Sequence, residues 1–179
     1  MKHALTRAVS SSEFRRYSGG NPSSPDFREL IIRWFQFGFT CPLFRQHGAR
    51  DTDPWGYGNR SLAAIESIIK LRSSMVPFIM QAMSDVSATG LPVNRPLWFD
   101  FPHDAIAWKV TTSYMFGKSM LACPVTAANV TSAVCYLPTL PAGKTWKHFF
   151  SKATFPGGAN ATTATPLVAP FPFPLFQIE

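Results

Sequence analysis

The spacing of hydrophobic positions changes near residue 90. Upstream, Phe27, Leu30, Ile31, Trp34 and Phe35 follow intervals of three, one, three and one, which predicts a helix with a wide apolar face. Ser24 followed by Pro25 reads as its N-cap and first helical position. Gly38 and Pro42 end it, and Cys41-Pro42-Leu43-Phe44-Arg45 is short enough for a buried strand. A second helix is predicted from about Ser61 to Ala88, because Leu62, Ile65, Ile69, Val76, Ile79 and Met83 recur at helical intervals. Pro77 should bend it, since proline lacks the amide donor and crowds the preceding turn. Thr89-Gly90 with Pro92 stops it.

Downstream the runs shorten. Leu91 to Phe101, Val110 to Met115, Met120 to Val125 and Ala133 to Leu137 are apolar or β-branched and are separated by Pro, Gly, Asn and Asp. That texture predicts antiparallel β-structure. The Pro- and Phe-rich stretch from Pro166 to Phe176 is expected to pack along a sheet. Residues 1–26 are polar and rich in Ser, Gly and Pro, so they read as a tail or loop. No internal repeat is present.

Composition narrows the classes. The chain has 179 residues, of which 46% are hydrophobic and 15% charged, enough for a packed core. A complete eight-stranded α/β barrel needs about 250 residues, so at most part of one fits. The formal charge is +7, but the basic residues are scattered, and no nucleic-acid partner is expected. No run reaches the roughly 18 apolar residues of a membrane span. Arg7 interrupts the would-be apolar part of a leader, and a start assigned inside a longer gene is the preferred reading of the first residues. Cys41, Cys123 and Cys135 are odd in number and lack CxxC spacing, so buried free thiols are expected rather than a zinc site or a disulfide framework. Asn59, Asn129 and Asn160 begin N-glycosylation patterns, which matter only in a secreted chain.

The richest chemistry lies just after the first helix. Arg45 and His47 stand two residues apart in Phe44-Arg45-Gln46-His47-Gly48, and Trp55 follows Pro54. Cationic and imidazole donors beside an aromatic face suit a polyol, whose hydroxyls need fixed partners and whose ring packs on an aromatic plane. A structural histidine and a core or interface tryptophan are the plainer alternatives.

In order, the chain reads Gly19-Gly20, RWFQFG (33–38), PLFRQHG (42–48), Pro54-Trp55, IKLRSSMVPF (69–78) and TGLPVNRPLWFDFPHD (89–104). SYMFGKSMLACPV (113–125), YLP (136–138), Gly143 with Trp146, and FPLF (173–176) complete the series. These blocks, in this order over roughly residues 17 to 179, resemble glycoside hydrolase family 31, the α-glucosidases and α-xylosidases. The resemblance implies an α/β plus β architecture: the end of a (β/α)8 TIM barrel followed by an antiparallel β-sandwich-type domain. Residues 1–16 stay unassigned, 17–90 become the last barrel segment, and 91–179 part of the β-domain.

The resemblance also implies a fragment of a retaining enzyme that hydrolyses terminal α-linked glucose or xylose, without metal or organic cofactor. The R-x-H-G form at 45–48 with Pro54-Trp55 leans towards the α-xylosidase side. His47 corresponds to the family histidine that hydrogen-bonds the cleaved sugar; Arg45 and Trp55 are the other substrate-binding candidates. Such enzymes use two carboxylates about 5 Å apart. Both family aspartates precede the Gly-Gly block, and nothing before Tyr17-Ser18-Gly19-Gly20 resembles either motif, so no catalytic residue is assigned. Tyr17, or a gap, stands where the family has an aspartate, and Thr112-Ser113 replace an Asp-Gln pair. The rival readings are a non-catalytic remnant that binds sugar or docks on a full-length paralogue, and a truncated gene product.

Overall fold

Three helices cover one face of a six-stranded antiparallel sheet, and a two-stranded ribbon covers the other. The computed structural model describes residues 21–46, 53–168 and 173–179. Helix α1 spans Pro25–Phe39, a 3-10 turn Pro54–Tyr57, α2 Asn59–Ser74 and α3 Val76–Thr89. Strand β1 (Asn94–Pro96) leads into the short helix α4 (Leu97–Asp100). Strands β2 (Tyr114–Phe116), β3 (Met120–Ala122), β4 (Ser132–Leu137), β5 (Trp146–His148), β6 (Thr154–Phe155), β7 (Ala159–Ala164) and β8 (Leu175–Ile178) follow. The large sheet runs β1-β2-β3-β8-β5-β6, and β4 pairs with β7.

Helix α1 begins as its sequence predicts. Ser24 is extended at the N-cap and Pro25 opens the first turn, although the Ser24 side chain makes no capping bond. Of its apolar positions, Phe27 and Ile31 face the start of α2 and the turn before it. Both are buried with Tyr57 and Ile65, while Ile32 and Phe39 turn towards the sheet. Trp34 and Phe35 are half-buried.

The second predicted helix is two. Met75 separates α2 from α3, and Pro77 falls in the first turn of α3, where a missing amide donor costs nothing. The bend therefore becomes a break. Gly90 closes α3 in the left-handed conformation that the Thr89-Gly90 reading required.

The short apolar runs after residue 90 fit a sheet covered on both sides. Tyr114 and Phe116 of β2 join the core under the helices, and Met115 between them joins the core under the ribbon. In β3, Met120 and Ala122 face the helical side and Leu121 the ribbon. Alternation is hidden because both faces are dry, so each strand reads as uninterrupted hydrophobic sequence. At the β2–β3 turn, Gly117 has φ +62°, and a Cβ there would lie 2.7 Å from the Phe78 ring of α3.

Several expectations change. Residues 41–45 join no sheet, and no parallel pairing occurs among the described residues. The predicted strand at Leu91 to Phe101 shortens to β1, because Pro96 cannot donate and α4 starts directly after it. Residues 110–113 also lie outside any strand. The expectation of three free thiols holds only for buried Cys41. Cys123 and Cys135 form a disulfide that ties the end of β3 to β4. Their 12-residue separation follows no motif; sheet stacking brings them together.

Candidate functional site

The segment read as the sugar site leaves α1 along a fixed path. Arg72 of α2 donates to the carbonyl of Phe39 and, at 3.2 Å, to that of Pro42, and its guanidinium lies 5.5 Å from the Phe44 ring centre. Phe44 also meets Phe35 edge-on, with centroids 5.6 Å apart. Asn94 donates to the Thr40 carbonyl at 3.0 Å, and the Thr40 and Tyr114 hydroxyls bond to each other. Both helices and the first two strands thus hold the backbone that presents Arg45. Arg72 and Asn94 were not singled out from sequence; Arg72 is one of two cations in Ile69-Lys70-Leu71-Arg72, and nothing local sets it apart.

Arg45 is exposed. Gln46 donates at 3.0 Å to the hydroxyl of Tyr57, which anchors the turn carrying Trp55. Trp55 itself is 66% exposed. A shared anchor therefore connects the two flanks, while both candidate side chains present to solvent. His47 lies outside the described residues, so its relation to Arg45 and Trp55 stays an expectation.

Electrostatics around this segment argue for structure rather than reaction. Burial pushes the Cys41 thiol up to about 12, only partly offset by Arg72, so it stays protonated and unreactive near neutrality. Burial also raises Tyr114 well above the ordinary phenol value, and the nearby Cys41 adds to that.

A hollow of about 720 Å³ lies elsewhere and includes Asp100 and Asp104 in its lining. Both carboxylates are committed to protein partners. Buried Arg95 donates to both Asp100 oxygens at 3.1 and 2.9 Å. Burial pushes Asp104 up, but hydrogen bonds from Tyr136 and the amides of Ala107, Thr139 and Ile106 prevail and leave it below its usual value. A proton donor needs the opposite shift. Among the described residues, no group of three or more His, Cys, Asp or Glu is placed to hold a metal ion. None of the described helices is long and apolar enough to cross a membrane.

Comparison with known proteins fits both layers. Residues 16–82 match the model of the glycosyl hydrolases family 31 TIM-barrel domain, and residues 90–178 that of the family 31 C-terminal domain. The chain belongs to glycosyl hydrolase family 31. Similar curated proteins include a probable glucan 1,3-alpha-glucosidase of rice, Oryza sativa (34% identity; 79% of this chain, 15% of that protein). Alpha-xylosidase A of Aspergillus niger is 30% identical over 83% of this chain and 23% of its own length. Among solved structures, an alpha-xylosidase from a soil metagenome, complexed with xylose, aligns with a TM-score of 0.82 at 35% identity. That alignment covers 90% of this chain and 26% of the metagenomic one. The chain thus spans between a seventh and a quarter of the length of these relatives.

Proposed function

We propose that this chain is the C-terminal part of a retaining α-glycosidase acting on terminal α-linked glucose or xylose. In that reading, residues 17–90 close a TIM barrel, residues 91–179 form its β-domain, and Arg45, His47 and Trp55 line the sugar site of the completed barrel. The family membership of both layers carries the proposal. The stripe Val76, Met80 and Met83 on α3, exposed and spaced by four and three residues, adds support, since a barrel helix needs an apolar flank for its neighbour. The carboxylate pair would come from barrel segments other than those in this chain.

Two experiments test this. The 179-residue chain alone should not hydrolyse aryl α-glucosides or α-xylosides; turnover in the usual enzyme range of about 1–10³ per second would refute the assignment of absent catalytic groups. Residues 16–179 should also replace the equivalent part of the Aspergillus niger alpha-xylosidase with activity retained. In that chimera, His47→Ala should lower kcat/KM about ten- to a hundredfold, the size of one hydrogen bond of roughly 1–3 kcal/mol to a substrate hydroxyl. A folded but inactive chimera would overturn the assignment, and unchanged kinetics in the His47→Ala variant would make that residue structural.

A further inference from the structure

A second aromatic surface lies in the β-domain, on residues that the catalytic reading does not use. Trp98 and Trp108 stack with ring centroids 5.2 Å apart and planes 19° from parallel. They remain 38% and 56% exposed, so part of the stacked pair meets solvent. Phe99 beside them is 41% exposed. Two tryptophans held flat and open in this way call for a ligand with a flat apolar face.

The loop that carries them is fixed before any ligand arrives. Trp108 Nε1 donates to the Pro102 carbonyl at 2.8 Å, which locks the indole and leaves its ring face as the surface on offer. Arg95, besides clasping Asp100, donates to the carbonyls of Pro92 and Gly117 at 2.8 and 2.9 Å. Asp104 accepts from the amides of Ile106 and Ala107 with one oxygen, and from the Tyr136 hydroxyl and Thr139 amide with the other. Leu97 and Ala107 are buried beneath. Binding to such a loop loses little ordering entropy.

The same loop lines the 720 Å³ hollow, a size ordinary for small-ligand sites. Asp100, His103, Lys118, Thr139 and Lys144 supply carboxylate, imidazole, ammonium and hydroxyl groups around it. Neither tryptophan lines the hollow, but Trp108 meets its wall through the bond to Pro102; an aromatic plane and mixed donors and acceptors on one loop match a sugar, with an apolar ring face and a rim of hydroxyls that both donate and accept.

We propose that loop 97–110 is a non-catalytic carbohydrate site, in which an α-glucan rests a sugar ring on the Trp98–Trp108 pair and directs hydroxyls to the rim of the adjoining hollow. Only the choice of α-glucan rests on the glycosidase reading; the platform itself does not. The test is native electrophoresis of the full chain in gels with and without glycogen, together with indole fluorescence during titration with glycogen. Glycogen should retard the chain and change its emission. Trp108→Ala and Trp98→Ala should each weaken binding about tenfold or more, whereas Trp108→Phe, which keeps a flat ring, should retain most of it. Met80→Ala, on the exposed face of α3, should leave it intact, and an inactive chimera with glycogen binding preserved would sink the glycosidase reading alone. Mobility and fluorescence indifferent to glycogen would overturn the platform. So would a Trp98/Trp108 double alanine variant that loses self-association while binding glycogen unchanged, since the surface would then be a protein contact.

Discussion

The helical layer and the paired sheets solve the burial problem differently. The sheets are closed: β2, β3 and β8 are covered on both faces, and Trp146, Leu137 and Phe176 are fully buried between sheet and ribbon. The helices are half closed. Their inner face shares one core with the sheet, but Ile69, Val76, Met80 and Met83 are 40–63% exposed on the outside. The sheet layer therefore supplies the helices with a floor, and their outer side stays open. A helical layer can be ordered with one side left open.

The strongest challenge to this contrast is Trp146→Ala. It empties a fully buried position and orphans the Pro138 carbonyl, which accepts from the indole at 2.8 Å. A loss of about 3–5 kcal/mol is expected in chemical denaturation. A loss below about 1 kcal/mol would show that the sheets are not the stable part.

Next in size is Arg33→Ala, which attacks the joint between the layers. Arg33 is buried on α1 and donates to the carbonyls of Val130 and Thr165 at 3.2 and 2.8 Å, at the two strand ends of the ribbon. Burial lowers its pKa and Glu29 partly restores it, so the charge is held by partners rather than by water. Removal should cost about 2–3 kcal/mol. Hydrogen exchange should show α1 loosening before β2 and β3; simultaneous loosening would make the layers one cooperative unit.

A smaller effect follows from pH. His148 is buried beside Phe176 and bonds to the Ser151 hydroxyl at 2.8 Å. Burial first, then Lys152, lowers its pKa below the ordinary 6.5. The unfolded chain therefore takes up the proton first, so this contribution is complete above 6.5 and declines as pH falls through and below that value. Denaturation midpoints of wild type and His148→Gln should converge between pH 7.5 and 5. Parallel curves would remove His148 from the pH response.

The mildest change is Met80→Lys with Met83→Glu. Both sites are exposed, so stability should shift by no more than about 0.5 kcal/mol. Binding of a hydrophobic dye and self-association should both fall, because an unpartnered apolar stripe is removed. Unchanged behaviour in gel filtration and dye titration would mean that this face is not the open side.

The sequence was most readable where one face of an element is wet. Helix α1 and its start at Ser24-Pro25 follow from spacing and cap chemistry, and the family blocks give the order of the two layers. Strands β5, β6 and β7 were missed for opposite reasons. Trp146–His148 is too short to show a period, and Ala159–Ala164 alternates with small residues, Ala161 and Thr163 facing in. The Cys123–Cys135 bond and the Arg33 clamp depend on residues 12 and about 100 positions apart, which no local pattern reports. At the candidate site, the pinned path through Phe44 was invisible because Arg72 and Asn94 act from other elements. Arg45 and Trp55 were chosen from residue type and motif, and both side chains are exposed.

The order of the large sheet has a consequence for synthesis. Strand β8 lies between β3 and β5, and it alone joins β1-β2-β3 to β5-β6. During translation, residues 94–122 and 146–155 leave the ribosome long before the strand that unites them. Until residues 175–178 emerge, β3 and β5 each present a bare edge to other nascent chains. The hazard lasts until that strand arrives, and a chaperone that shields strand edges would have its brief task before then.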